Sequence, residues 1–284
     1  MNGRYCDLHT HSCYSDGSDS PEQLIETACA CGLSAVALTD HNTVSGLPAF
    51  LSAAKGKPIE AVPGIEFSVD YEGIELHILA LFVRETSFSE IDALMESVQR
   101  RKDESNRALI SALCAAGYAL DYEAIRTKTP NGQFNRAHVA LALTEQGYTA
   151  SVKEAFETLL SEEQGFYRPP KRLGTFEVLG FIRSIRAVSV LAHPFLNLSE
   201  DALRRFLPKA KEYGLCGMET VYPLYDGATA ETARSIAREF GLLESGGSDY
   251  HGEVKPDITL GTGKNNITVP YSFFEALRET AARL

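Results

Sequence analysis

The first residues able to do chemistry come early. "DLHTHSCYSDG" contains Asp7-x-His9-x-His11 and then Asp16, and so uses two of the chain's seven histidines. On a strand, side chains at i and i+2 leave one face about 6.6 Å apart, so His9 and His11 point at a common target. Asp249 and His251 in "GSDYHG" repeat the relation. Between these ends lie Asp40-His41 in "ALTDHN", Glu66 in "PGIEFS", His77 in "LHILAL" and His193 in "VLAHP". A lone His-x-His suits a packed core as readily as a ligand pair. The joint set of His9, His11, Asp16, His41, Glu66, His77, His193, Asp249 and His251 does not, because closely placed carboxylates repel and lose hydration unless cations neutralise them. Imidazole nitrogen with carboxylate oxygen, and no thiolate preference, suits manganese, iron or zinc. At about three to four protein ligands per catalytic ion, nine groups suffice for two or three divalent ions, a multinuclear hydrolytic site.

Elements of alternating type must place these groups. "GRYCDLHTH" reads as a strand and "SPEQLIETACACG" as a helix, capped by Ser20, with Pro21 in its first turn and Gly32 closing it. "LSAVALTDH" is a buried strand and "TVSGLPAFLSAAKG" a second helix. "EAVPGIEFSVDY" and "IELHILALFV" are strands joined at Glu72-Gly73, which sets Glu66 and His77 close to opposite each other, within roughly 5–8 Å. After an interruption the alternation resumes: helix "TFEVLGFIRSI", strand "AVSVLAHP", helix "SEDALRRFLPKAKEYG", strand "LCGMETVYP", helix "TAETARSIAREFG", and strand "LLESGGSDYHG" running into a loop. This is an α/β pattern with a parallel or mixed sheet, whose C-terminal strand ends are where ligands bind. The interruption, 88–173, is helical. "FSEIDALMESVQRRKDESNRALISALCAAG" has the periodicity of two or three helices, and "FNRAHVALALTEQGY" and "SVKEAFETLLSEEQG" are further helices ended by glycines. The expected division is therefore a metal-binding barrel from 1–87 and 174–284 and a helical insertion, or lid, from 88–173.

Taken in order, "DLHTHSCYSDG", "ALTDHNTVSG", "PGIEFS", "LHILAL", "VLAHP" and "GSDYHG" resemble the polymerase and histidinol phosphatase (PHP) family of metal-dependent phosphoesterases. The resemblance implies a distorted (β/α)7 barrel with up to three metals at its C-terminal mouth. One ion would take His9, His11, Glu66 and Asp249, a second would share Glu66 and add His77 and His193, and a third would take Asp16, His41 and His251. Metal-bound water can ionise near neutral pH, which supplies a bridging hydroxide for in-line attack on phosphorus. Asp16, His41 or His251 would assist proton movement to the leaving oxygen. The insertion is similar to that of a subgroup acting on small phosphorylated nucleosides or sugars. "FNRAHVALAL" supplies Arg136 and His138 and "GFYRPPKR" supplies Lys171 and Arg172 as contacts to a second substrate phosphate. Two substrates follow equally: a nucleoside 3′,5′-bisphosphate losing its 3′-phosphate, or a 5-phosphoribosyl 1,2-cyclic phosphate opened and dephosphorylated. A short-RNA 5′-end exonuclease and a metal-dependent amidohydrolase are the alternatives.

Bulk composition narrows the partners. The net charge of −11 argues against tracking a long nucleic-acid backbone, so a small phosphorylated molecule is expected. No run approaches the ~20 apolar residues that cross a bilayer, and no apolar leader opens the sequence. Six scattered cysteines without zinc-ribbon spacing fit a reducing compartment, so a cytoplasmic protein is expected.

Overall fold

The computed structural model describes residues 4–127, 134 and 136–284. The chain divides into two compact units. The first runs through Asp92 and resumes at Leu173–Leu284, and the second is Ala93–Arg172.

The first unit is one eight-stranded sheet. Its strands are β1 (Tyr5–Asp7), β2 (Ala35–Leu38), β3 (Glu60–Tyr71), β4 (Ile74–Leu81), β5 (Val188–Leu191), β6 (Gly217–Val221), β7 (Leu243–Gly246) and β8 (Val269–Pro270). They are ordered β7-β6-β5-β4-β3-β2-β1-β8. The sheet curls until its ends meet beyond β1 and β7. Leu8 donates to the Gly246 carbonyl at 3.1 Å, Asp249 to that of His9 at 2.9 Å, and His11 to that of Tyr250 at 2.8 Å. The seven strands implied by the PHP resemblance are β1 to β7; β8 adds a short antiparallel pairing of Val269 with Cys6. β4 runs antiparallel to both neighbours, because the tight turn at Glu72 and Gly73 returns the chain with no crossover helix. Alternate residues fill the interior, such as Ala35 and Ala37 of β2, Leu79 and Leu81 of β4, and Val188 and Val190 of β5.

Helices α1 (Pro21–Ala30) and α2 (Leu47–Ala54) fall between the early strands. Ser20 and Gln23 form a reciprocal capping box at the start of α1, and Gly32 takes a positive φ of 72° after it. The second unit and its approach contain α3 (Phe88–Ala115), α4 (Tyr122–Thr127), α5 (Arg136–Glu145) and α6 (Val152–Glu157). α3 is one 28-residue helix rather than two or three, since its sequence contains neither glycine nor proline to break it. The "SVKEAFETLLSEEQG" helix is shorter than expected, ending at Glu157 before a turn. In "FNRAHVALAL", Asn135 lies outside the described residues. This unit has its own core, including Leu109, Leu113, Val139, Leu143 and Leu160. Back in the first unit come α7 (Thr175–Ser184), α8 (Glu200–Glu212), α9 (Gly227–Phe240) and α10 (Tyr271–Ala281). Among the described residues, no helix is long and apolar enough to cross a membrane.

Candidate metal centre

Glu66 sits midway along β3, fully buried, and its two oxygens are the hub of the site. Oε2 stands 3.2 Å from each of His9 Nε2, His11 Nε2 and His41 Nδ1. Oε1 stands 2.8 Å from His77 Nδ1 and 3.2 Å from His193 Nε2. Five imidazoles thus surround one carboxylate, divided between its two oxygens. Asp249 Oδ1 approaches His11 Nε2 at 3.2 Å and His9 Nε2 at 3.6 Å. Asp16, at the open edge with its side chain 54% exposed, approaches His251 Nε2 at 3.3 Å, His11 Nδ1 at 3.7 Å and His41 Nε2 at 3.8 Å. All nine residues singled out by type and spacing therefore lie together.

The backbone explains this convergence, with two departures from expectation. β1 ends at Asp7, so His9 and His11 lie on an extended continuation that is held on both sides. Thr10 pairs with Tyr250, and the Thr39 amide donates to the Thr10 carbonyl. In the β3–β4 register His77 faces Ser68, while Glu66 faces Leu79. Glu66 and His77 are thus diagonal neighbours two residues out of step, and their side chains lean together on one face. His193 and Asp249 take positive φ values of 27° and 53°, conformations that cost non-glycine residues energy and tend to persist at functional sites.

The donor set fits divalent cations. Around an ion bound at about 2.1 Å, neighbouring ligand atoms lie about 3.0–3.4 Å apart. The His9 and His11 Nε2 atoms face each other at 3.1 Å, and their separations from Glu66 fall in the same range. Glu66 Oε2, His11 Nδ1, His41 Nδ1 and His77 Nδ1 are buried without an aligned hydrogen-bond partner. Four sets have ligand atoms mutually within 4.8 Å: His11, Asp16, His41 and His251; His9, Glu66 and His193; His9, His11 and Asp249; and His41, Glu66 and His77.

Electrostatics are governed by burial and by this crowding. Burial opposes ionisation of Glu66, yet the imidazoles around it hold it well below the ordinary carboxylate range. Burial drives the His41 ring down to about 4. His77 is penalised by burial too, but its contacts with Glu66 and Glu75 lift it to about 9. Asp249 is lowered by His11 and His9 against its own burial.

Of the residues that support the cluster, Glu219, Tyr222 and Lys255 escaped the sequence reading, whereas Asp40 was named in it. Glu219 of β6, fully buried, accepts from His9 Nδ1 at 2.9 Å and from the His193 backbone N–H at 2.6 Å. An acceptor at Nδ1 places the His9 proton there and leaves Nε2 as the ligand atom. The Asp249 carbonyl, 2.8 Å from His251 Nδ1, does the same for His251. Tyr222 and Lys255 donate to Asp249 Oδ2 at 2.9 and 3.0 Å, which leaves Oδ1 for the cluster. Asp40 accepts from the Ser12 amide at 2.7 Å and from the Ser12 and Ser15 hydroxyls at 2.6 Å each, anchoring the loop that carries Asp16. The signal for Glu219 was visible as a lone acid within the apolar strand "GMETVYP".

The four expected substrate contacts belong to the second unit. The Arg136 guanidinium lies 4.1 Å from the Tyr167 ring centre and donates to the Leu160 carbonyl at 3.2 Å. The His138 ring is 6.1 Å from that of Phe134, and Lys171 and Arg172 are exposed.

A curled α/β sheet with a histidine–carboxylate cluster at one rim defines the molecule as a metal-site barrel protein. The PHP domain profile matches residues 7–168, and the chain belongs to that family. It is 32% identical to a phosphoribosyl 1,2-cyclic phosphate 1,2-diphosphodiesterase from Eggerthella lenta, over 87% of this chain and 94% of the relative. A 5′-3′ exoribonuclease from Haemophilus influenzae is 30% identical over 86% and 89%, and a 3′,5′-nucleoside bisphosphate phosphatase from Chromobacterium violaceum 26% identical over 86% of each. A solved structure from Bifidobacterium adolescentis, described as a metal-dependent phosphoesterase, superimposes with a TM-score of 0.69 at 25% identity, over 98% of this chain and 96% of that one.

Proposed function

We propose that the protein is a metal-dependent phosphoesterase that hydrolyses small phosphate esters carrying a second phosphate. The substrates are nucleoside 3′,5′-bisphosphates or 5-phosphoribosyl 1,2-cyclic phosphate. The observation that carries this reading is the Glu66 hub, which presents one carboxylate to five imidazoles.

Two to three divalent ions, of manganese, iron or zinc, would be held by His9, His11, Asp16, His41, Glu66, His77, His193, Asp249 and His251. Bound there, such ions would supply Lewis acidity, acidifying water near neutral pH and stabilising charge that develops on a phosphoryl group. The chain's own groups do the rest. Glu219 fixes the His9 ring, and Tyr222 with Lys255 fixes Asp249. Asp16, His41 or His251 would assist proton movement to the leaving oxygen; the partial exposure of His41 and Asp16, at 25% and 54%, favours these two over His251, whose Nδ1 is held by the Asp249 carbonyl. Arg136, His138, Lys171 and Arg172 read the second phosphate. Arg136 is pre-oriented by stacking on Tyr167 and by its bond to the Leu160 carbonyl, and its planar fork suits phosphate oxygens. All six cysteines are unpaired, in keeping with a cytoplasmic setting.

Phosphate release from adenosine 3′,5′-bisphosphate and from the ribosyl cyclic phosphate, with and without added manganese, iron and zinc, tests the reading. No release under any metal would sink it. Arg136→Ala should weaken hydrolysis of a doubly phosphorylated substrate by about 1.5–3 kcal/mol relative to a singly phosphorylated one, the value of a charged hydrogen bond. An equal loss on both would remove Arg136 from the role. The resemblance to the Haemophilus influenzae exoribonuclease favours a second reading, attack on 5′ ends of short RNA. Nucleotide release from a 5′-phosphorylated oligomer at rates above those on mononucleotides would establish it instead.

A further inference from the structure

Beside Asp249, on the barrel unit, is a cavity of about 310 Å³, at the lower end for small-ligand pockets. Its lining includes Tyr222 and Asp249 together with two lysines, Lys255 and Lys264. Though well separated in sequence, the lysines reach one cavity because the segment between them doubles back. Thr259 pairs with Gly263 across the turn, and the Gly263 amide donates to the Thr259 carbonyl at 2.7 Å.

This turn is pinned to the rest of the barrel. Gly263 takes a φ of 58°, and a Cβ there would stand 2.8 Å from Pro223 Cγ, so only glycine permits this approach. The Asn265 side chain donates to the Pro223 carbonyl at 2.7 Å. The Gly261 amide donates at 2.8 Å to Asp7, the buried acid two residues before His9, which also receives the Ser248 amide at 2.9 Å. The segment that carries the lysines is thereby fixed to the strand that leads into the metal cluster.

Charge and hydrogen-bonding capacity in the lining point to an anion. The side chains of Lys255 and Lys264 are 43% and 49% exposed. Lys255 donates to Asp249 Oδ2 at 3.0 Å and Lys264 to Asp257 at 3.2 Å. An ammonium group carries three protons, so each lysine keeps donors for a ligand. The Lys264–Asp257 pair lies in water, where ion pairs contribute little, so Lys264 exchanges it readily for a multiply charged anion. The other polar groups are spent. Asp249 accepts from Tyr222 and Lys255 on Oδ2 and faces His9 and His11 with Oδ1. The Ser248 hydroxyl is used on Asp7. What the cavity offers is therefore chiefly cationic, and it adjoins the cluster through a single carboxylate.

We propose that Lys255 and Lys264 form an anion subsite on the barrel unit that takes the non-reacting phosphate of a substrate whose other phosphate lies at the cluster. The barrel thus has its own share in reading the second phosphate, through residues other than those of the insertion. The inference rests on the phosphoesterase reading for its use in turnover, but not for anion binding itself. The test has two arms, each comparing the full-length protein with Lys264→Gln, a change at a half-exposed side chain outside the metal ligands, and with Lys264→Arg, which keeps the charge. In the first, inorganic phosphate is titrated into chelator-treated protein and followed by phosphorus NMR. Saturable binding weakened about tenfold in the Gln variant and retained in the Arg variant is expected, the scale of one lost charged hydrogen bond. In the second, kcat/KM of the metal-loaded protein is compared between adenosine 3′,5′-bisphosphate and adenosine 3′-phosphate, which lacks the second phosphate. The Gln variant should lose about tenfold more on the bisphosphate, through KM. Absence of phosphate binding in the parent, equal binding by parent and Gln variant, or equal losses on both esters would overturn the proposal. If no ester is hydrolysed at all, the phosphoesterase reading fails while the phosphate titration still decides the subsite.

Discussion

At the scale of single residues, the cluster depends on acids of two kinds. Asp249 faces the cluster directly, and Asp249→Ala should abolish metal retention and lower turnover at least ~10²-fold, read by metal analysis and phosphate release. Near-normal metal content would remove it from the ligand set. Glu219 acts through His9 and is a positioning residue: Glu219→Gln keeps the shape but puts an amide where the carboxylate accepts two hydrogen bonds. Metal affinity should fall about 10–100-fold with the fold intact, measured by metal titration alongside circular dichroism. An unchanged affinity would make Glu219 merely structural. The difference between these residues also explains what could be read from the chain. His9, His11, Asp249 and His251 announce themselves by i, i+2 spacing beside turn residues. Glu219 is an isolated acid in an apolar strand, and Asp7, although it opens the His-x-His motif, finds its partners elsewhere; His193 and Gly261 are 26 and 254 residues from Glu219 and Asp7 respectively. Spacing along a sequence carries no trace of such pairings.

At the scale of elements, the strand-end loops are held in place by close backbone approaches. A Cβ at Gly247 would collide with His9 Cβ and stand 2.5 Å from the His9 amide nitrogen. Gly247→Ala should therefore displace the His9 strand, lowering both Tm and metal affinity, because neither backbone can yield without breaking the barrel closure. A calorimetric scan and a metal titration check this; a variant with parental Tm would show that the strands can part freely. Helix α1 and the alternating strands were legible because capping and hydrophobic period are local. The continuity of α3 was less so, since a polar stretch such as "QRRKDESN" weakens the apolar stripe without supplying a helix breaker. The out-of-step register of β3 and β4 was also hidden, as turn position fixes pairing only to within a residue or two.

At the scale of the whole molecule, the first unit closes its sheet by joining the extension of β1 to that of β7, and four of the candidate ligands, His9, His11, Asp249 and His251, flank the seam. Cations that bind only the closed form stabilise it by about 2.7 kcal/mol at a hundredfold excess over Kd. Chelator should thus lower Tm and abolish turnover without removing the helical circular-dichroism signal, and added manganese or zinc should restore both. A Tm indifferent to metal would mean the cluster does not hold one. The seam also bears on how the protein is made. Asp7 and the backbone around His9 emerge from the ribosome some 240 residues before the segment from Gly246 to Gly261 that pairs with them across the seam. The nascent strand that carries Asp7 and His9 must wait unpaired on that side until those residues are made, so a polypeptide cut short before Gly246 never assembles a cation cage.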